Sequence, residues 1–175
     1  MSHLVKVQQS VETANGLPNE FYTDPTVFAE ETKRLLLGQW SGIAFAGDVP
    51  EVGDVYPVEL AGVPLVLVRD RDNQVRVYEN VCRHRGMILV GEAGKARQGM
   101  RCPYHSWTYD LNGRLIATPL VGGPDANHHP CIHKPDLGLL EVPTHVYLGV
   151  VYVNVSRDAG PFKQIHSKLL DRWAE

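Results

Sequence analysis

Polar and apolar positions along the chain fall into three regimes. Residues 1–20 are mostly polar and show no period, which predicts a loose arm. At Asp24-Pro25 a capping carboxylate precedes a proline at a first helical position. Phe28, Leu35 and Leu36 then recur at helical spacing, so a helix is predicted from about Pro25 to Leu37. After Gly38 the period shortens to short runs rich in Val, Ile and Tyr, split by Gly, Pro and Asp-Asn. These predict strands at 41–46, 55–60, 64–68 and 75–79, with Asp72-Asn73 as the turn of the last pair. Further strands are expected at 107–110 and 114–117, joined by Asn112-Gly113, a strong two-residue hairpin signal with both turn positions at positive φ. Two more are expected at 141–147 and 150–155, with Gly149 near their turn. Residues 119–138 are rich in Gly, Pro and His, have no period, and read as a long surface loop. From Pro161 onward Phe162, Ile165, Leu169 and Trp173 lie near one helical face, and this helix is expected to reach the last residue. The sum is a mainly β chain, an antiparallel sandwich or small barrel with a helix at each end.

Composition narrows the class. The chain has 175 residues, an apolar content of 43% and a net charge of -3. That suits one domain, or one and part of another, and gives no reason to expect nucleic acid as a partner. The longest apolar runs, such as 147–153, are too short to span a bilayer, and the N-terminus has no apolar signal core, so the cytoplasm is the expected location. Three cysteines, Cys82, Cys102 and Cys131, argue against a disulfide framework.

Two of those cysteines carry the chemistry. Cys82 and His84 spell C-x-H, residues 85–101 intervene, and Cys102 and His105 spell C-x2-H. One pair directly follows the strand at 75–79 and the other directly precedes the strand at 107–110, so two tight loops can face one another. Two thiolates with two imidazoles are the donor set of a Rieske [2Fe–2S] centre, both thiolates on one iron and both imidazoles on the other. A structural zinc held by two thiolates and two imidazoles uses the same donors, and spacing alone leaves both open.

The words around the ligands go further. At Asn80-Val81-Cys82-Arg83-His84-Arg85-Gly86 and at 102–115 (CPYHSWTYDLNGRL) the chain resembles the N-terminal part of the alpha subunit of Rieske non-haem iron oxygenases, a likeness running from about Leu17 to about Val155. The resemblance implies a Rieske-type antiparallel β-sandwich with a cluster-binding subdomain. It implies that Cys82 and Cys102 hold the buried iron, and His84 and His105 the outer one. It implies that His105 faces a carboxylate of a neighbouring subunit, which leads the electron to a mononuclear iron that activates O2. It also implies an NAD(P)H-dependent reductase or ferredoxin as electron donor, and a homotrimer or higher oligomer. The expected division is an arm and helix (1–38), the Rieske domain (39–158) and the helical start of a connection (159–175) to a catalytic domain that holds the Fe(II). The alternative from a different class is a stand-alone Rieske ferredoxin. Respiratory Rieske proteins carry a disulfide between their loops. Met87 and Tyr104 stand at those positions here, which favours the oxygenase branch. Ser106 stands where the oxygenases usually have Gly. A positive φ there would cost about 1–3 kcal/mol, and any other φ would free its hydroxyl for a cluster sulfur.

The neighbours of the ligands have expected roles as well. Arg83 and Arg85 flank His84 as a basic rim for an acidic partner, or as plain surface charge. Gly86, Tyr104, Ser106 and Trp107 are expected around the centre, with Trp107 packing and thereby shielding it. His128, His129, Cys131 and His133 lie in the long loop and read as surface, and His145 and His166 as structural. The last helix either exposes its apolar face or folds back on its own domain.

Overall fold

The computed structural model describes residues 5–174, so the first four residues of the expected arm and the last residue of the expected C-terminal helix lie outside the described residues. Eleven strands form three antiparallel sheets among them. Strands β1 (Ser41–Phe45), β10 (Thr144–Tyr147) and β11 (Val150–Val153) make one sheet in the order β1-β11-β10. The second, β5-β2-β3-β4-β9, holds β2 (Asp54–Leu60), β3 (Val63–Arg69), β4 (Val75–Glu79), β5 (Gly94–Lys95) and β9 (Glu141–Val142). The third, β6-β7-β8, is small: β6 (Met100–Arg101), β7 (Thr108–Tyr109) and β8 (Leu115–Ala117).

The centre of the architecture is β3, which is buried on both faces. Leu65 and Leu67 point into an aliphatic core with Val77, Val142, Val151 and Val153 between the first two sheets. Val66 and Val68, displaced by the two-residue period, point into a second core with Tyr78, Met100, Trp107, Tyr109 and Leu115. Cys82 and Cys102 belong to that second core. The third sheet thus sits as a cap on the far side of β3 from the sandwich, and the sulfurs lie between cap and sheet.

The predicted strands are present, with β4 ending where expected. The differences have local causes. The strand expected at 141–147 is broken at Pro143, which has no N–H to continue the ladder. The Asn112-Gly113 turn is not the two-residue type: only Gly113 has positive φ (76°), and Asp110 Oδ1 accepts from the N–H groups of Asn112 and Arg114 to close a longer loop. The same frame closes β3 to β4, where Asp70 Oδ1 accepts from Asp72 and Gln74 and only Asn73 has positive φ. β5 and β6 are too short to leave a period in the sequence.

The helices depart more. A short helix α1 (Glu20–Thr23) ends the arm, and backbone bonds from Thr13 and Ala14 to Ser10 and from Asn15 to Lys6 fold the preceding residues on themselves. α2 (Pro25–Glu31) starts as expected, with Asp24 accepting from the Thr26 N–H at 2.8 Å, then widens to a π-helix over Thr32–Leu37. Its apolar face is turned outward, with Phe28, Leu35 and Leu36 exposed. The C-terminal helix is two, α3 (Phe162–Ile165) and α4 (Ser167–Trp173), parted at His166. It folds back on its own domain through Phe162, which is buried between the rings of His145 (4.3 Å) and His166 (4.4 Å) and meets Trp40 edge-on. Trp173 lies parallel to Tyr147 at 6.4 Å.

Candidate metal centre

Each pair of candidate ligands sits at the tip of a loop with the same hydrogen-bond frame. In the first, Cys82 N–H donates to Met87 O (2.8 Å) and Gly86 N–H to Cys82 O (3.0 Å). In the second, Cys102 N–H donates to Trp107 O (2.8 Å) and Ser106 N–H to Cys102 O (3.0 Å). Both frames need a left-handed residue four after the cysteine. Gly86 supplies it at φ 71° and Ser106 at φ 61°. Ser106 therefore carries the strained conformation, roughly 1–2 kcal/mol for a residue with a Cβ. Its hydroxyl accepts from Arg101 Nη2 at 2.8 Å.

Both loops are fixed at their bases. Asn80 is buried and clamps Val90, its Oδ1 accepting from the Val90 N–H and its Nδ2 donating to Val90 O. The second loop is the hairpin end of β6 and β7, with Arg101 opposite Thr108.

The donors sort by type. The two thiols are buried beside one another, and Cys82 adds to the effect of burial in pushing the Cys102 thiol up. The N–H groups of Tyr104 and His105 are turned toward the Cys102 sulfur and pull the other way. The two imidazoles are neighbours at a ring separation of 4.8 Å and line an open groove. Burial holds His84 below its ordinary value, helped by its neighbours His105 and Arg85, which favours the neutral ring a metal would need. His105 Nδ1 is buried with no hydrogen-bond partner. An orphaned buried ring nitrogen costs free energy unless something takes its lone pair, and a metal is such a partner. Among the described residues no three His, Cys, Asp or Glu side chains are grouped around one point, as a single ion would require. Sulfurs on one side and ring nitrogens on the other fit a two-iron cluster better than one tetrahedral zinc.

Sequence reasoning missed Tyr109. Its phenol is buried on β7, accepts from the Arg83 N–H at 3.0 Å and lies 3.4 Å from Cys82 Sγ. With one lone pair taken by Arg83, the phenolic hydrogen is free to donate to the sulfur. Burial, then the Cys82 thiol, push its ionisation well above the ordinary phenol range, so it stays a donor.

The other expected residues are placed as follows. Trp107 is buried and stacks on His84 (4.5 Å, 10°). Tyr104 is exposed and lies against His105 at 3.7 Å. The side chains of Arg83 and Arg85 are exposed, and Arg85 lines the groove. The loop 119–138 is tied in rather than free, since Val121, Ile132 and Leu137 pack on the second core. His129 Nδ1 accepts from the Cys131 N–H, and His133 pairs with Asp136.

Comparison with known proteins gives one consistent answer. The Rieske [2Fe–2S] domain family matches residues 39–135. The chain is 34% identical over 155 residues to the 2-aminobenzenesulfonate 2,3-dioxygenase subunit alpha of Alcaligenes sp, covering 86% of this chain and 38% of that one. To the carnitine monooxygenase oxygenase subunit of Escherichia coli strain K12 it is 31% identical over 143 residues, covering 82% of this chain and 37% of that one. Among solved structures it is similar to naphthalene 1,2-dioxygenase from Rhodococcus sp. bound to indole, with a TM-score of 0.80, 27% identity, and coverage of 96% of this chain and 38% of the other. The chain thus spans well under half the length of the relatives it matches. No helix of the described residues is long and apolar enough to cross a membrane.

Proposed function

Because this chain belongs to the Rieske [2Fe–2S] domain family, we propose that it is the electron-carrying part of a hydroxylating oxygenase. Cys82 and Cys102 are assigned to one iron, and His84 and His105 to the other. When bound, such a cluster supplies a one-electron carrier at roughly −150 to +300 mV. The observation that carries the reading is the sorting of donors into two buried thiols and two adjacent imidazoles, with His105 Nδ1 left without a partner.

The surrounding residues then have definite work. Tyr109 donates to Cys82, drawing charge off the sulfur and favouring the reduced state. Trp107 covers the His84 ring and keeps water from that side. With Nδ1 of His105 buried, Nε2 is the nitrogen left to meet a carboxylate at the groove. We assign the electron's source to an NAD(P)H-dependent reductase or ferredoxin in the cytoplasm. Its destination is a mononuclear non-haem iron in a catalytic domain of the same or a neighbouring subunit. Inter-subunit electron transfer has been described for a structurally similar quaternary ammonium Rieske monooxygenase. In this reading the arm and first helices (1–38) and the helical segment (159–175) flank the electron-transfer domain. The likeness to an oxygenase extends over 96% of the chain, which favours this reading over a stand-alone ferredoxin.

The test is anaerobic reconstitution with iron and sulfide. Two irons and two labile sulfides per chain are expected, with a reversible one-electron bleaching of visible absorbance. One zinc and no iron would sink the reading.

A further inference from the structure

The two loops superpose in pattern, and their one coordinated difference is informative. At the base of the first loop Val81 pairs with Ile88, and the left-handed position is Gly86. At the equivalent base of the second, Arg101 pairs with Thr108, and the left-handed position is Ser106. Valine and glycine have thus been replaced together by arginine and serine, and the two replacements touch: Arg101 Nη2 donates to Ser106 Oγ at 2.8 Å. Thr108 Oγ1 donates to Ser106 O at 3.0 Å. Ser106 is therefore gripped at both its hydroxyl and its carbonyl, one residue after His105.

Arg101 carries a charge with no carboxylate within ion-pair distance among the described residues, as do Arg83 and Arg85 next to His84. Arg76, Lys95 and Arg157 are each neutralised by a carboxylate. It lines the groove over His84 and His105 together with Arg85, and no acidic residue lines that groove.

We propose that Arg101 is a positioning residue of the second loop, holding the Ser106 turn that orients His105 and standing beside it as an uncompensated positive charge that raises the reduction potential of the centre. The inference rests on the Rieske reading given above. A strained serine is kept in the left-handed region by two hydrogen bonds where the other loop needs none. The cation that makes one of them favours the state with one more electron by simple Coulomb attraction. Because Arg101 is exposed, its effect is screened by salt.

The test uses the full chain with its cluster loaded, and reads midpoint potential and the reduced-state magnetic signal. Arg101→Met is expected to shift the oxidised-to-reduced ratio at fixed potential about tenfold toward oxidised, a potential about 59 mV lower for one electron. The shift should shrink as ionic strength rises. Arg101→Lys, which keeps the charge but not the planar fork, should recover most of the potential. Ser106→Ala, which keeps the charge but frees the turn, should broaden the magnetic signal. A loaded Arg101→Met with the wild-type potential and signal overturns the proposal. If Arg101→Met does not load, Arg101→Lys and Ser106→Ala decide it: both indistinguishable from wild type in potential and signal overturns it. A wild-type chain that takes up no cluster fails the Rieske reading instead, a separate outcome.

Discussion

The two ligand loops are built on one frame and finished differently. Each loop abuts a hairpin closed by an aspartate turn, Asp70 before the first and Asp110 after the second. Yet the first loop reaches its left-handed position with glycine, and its cysteine takes the Tyr109 phenol. The second reaches it with a gripped serine, and its histidine keeps an unpartnered Nδ1. His84 is covered by buried Trp107, whereas His105 is covered by exposed Tyr104. The lesson is a division of labour. The shared frame sets the loop geometry, and the differences leave His84 against a buried ring and His105 against an exposed one.

The comparison breaks most completely at the sulfurs. Cys82→Ser and Cys102→Ser should each abolish cluster uptake, because both thiols serve one iron in the proposed centre. Iron content after reconstitution reads the result, and a variant that retains two irons would show that the loops do not act as a pair. Next in size is Tyr109→Phe. It leaves the Arg83 N–H unpaired in a part-buried place, a loss of about 1–3 kcal/mol. It also removes the donor to Cys82, so the potential should fall. Denaturation of the apo chain and titration of the loaded one separate the two effects. An unchanged potential would mean that the phenol only fills space.

A third test concerns the aspartate turns. Asp70 is fully buried and bonded to Arg76 at 2.6 Å, while Asp110 is part-buried with no basic partner among the described residues. Burial alone would push the Asp70 carboxyl up. The N–H groups of Gln74 and Asp72 and the Arg76 guanidinium outweigh it and hold the carboxyl below its ordinary value. A depressed folded-state pKa means the stabilisation is present above the unfolded value of about 3.9 and lost as pH falls through the folded value. Asp70→Asn should therefore cost about 1–3 kcal/mol at pH 7, and the gap from wild type should close below pH 4. Urea midpoints across that range check it, and a gap that persists undiminished to pH 2 would contradict the assignment.

The legibility of the molecule follows the range of its interactions. The four candidate ligands stand out because C-x-H and C-x2-H are local words, and β2 to β4 because alternation and turn residues are local too. Tyr109 was not, because its role depends on β7 folding back onto a loop 26 residues earlier. Nor was the Arg101–Ser106 bond, which needs the register of β6 against β7. The type of the Asn112-Gly113 turn was misread because the Asp110 side chain competes for the turn's N–H groups. The helical period of Phe28, Leu35 and Leu36 correctly marked a helix but not what faces it, since periodicity records a stripe and not its cover.

The finest distinction between the loops is the glycine itself. At Gly86 a Cβ would meet nothing within 4 Å, so Gly86→Ala carries no steric clash and its cost is conformational, about 1–2 kcal/mol for a left-handed alanine. At Ser106 that cost is already present, so Ser106→Gly relieves it while giving up an exposed hydrogen bond to Arg101. Those contributions nearly cancel, since a glycine also loses more freedom on folding. Ser106→Gly should then lie within about 0.5 kcal/mol of wild type, the usual span for surface changes. Thermal unfolding of the two apo variants beside wild type measures the difference. Equal losses in both would mean that Ser106 is not strained and that the second loop tolerates its left-handed turn for another reason.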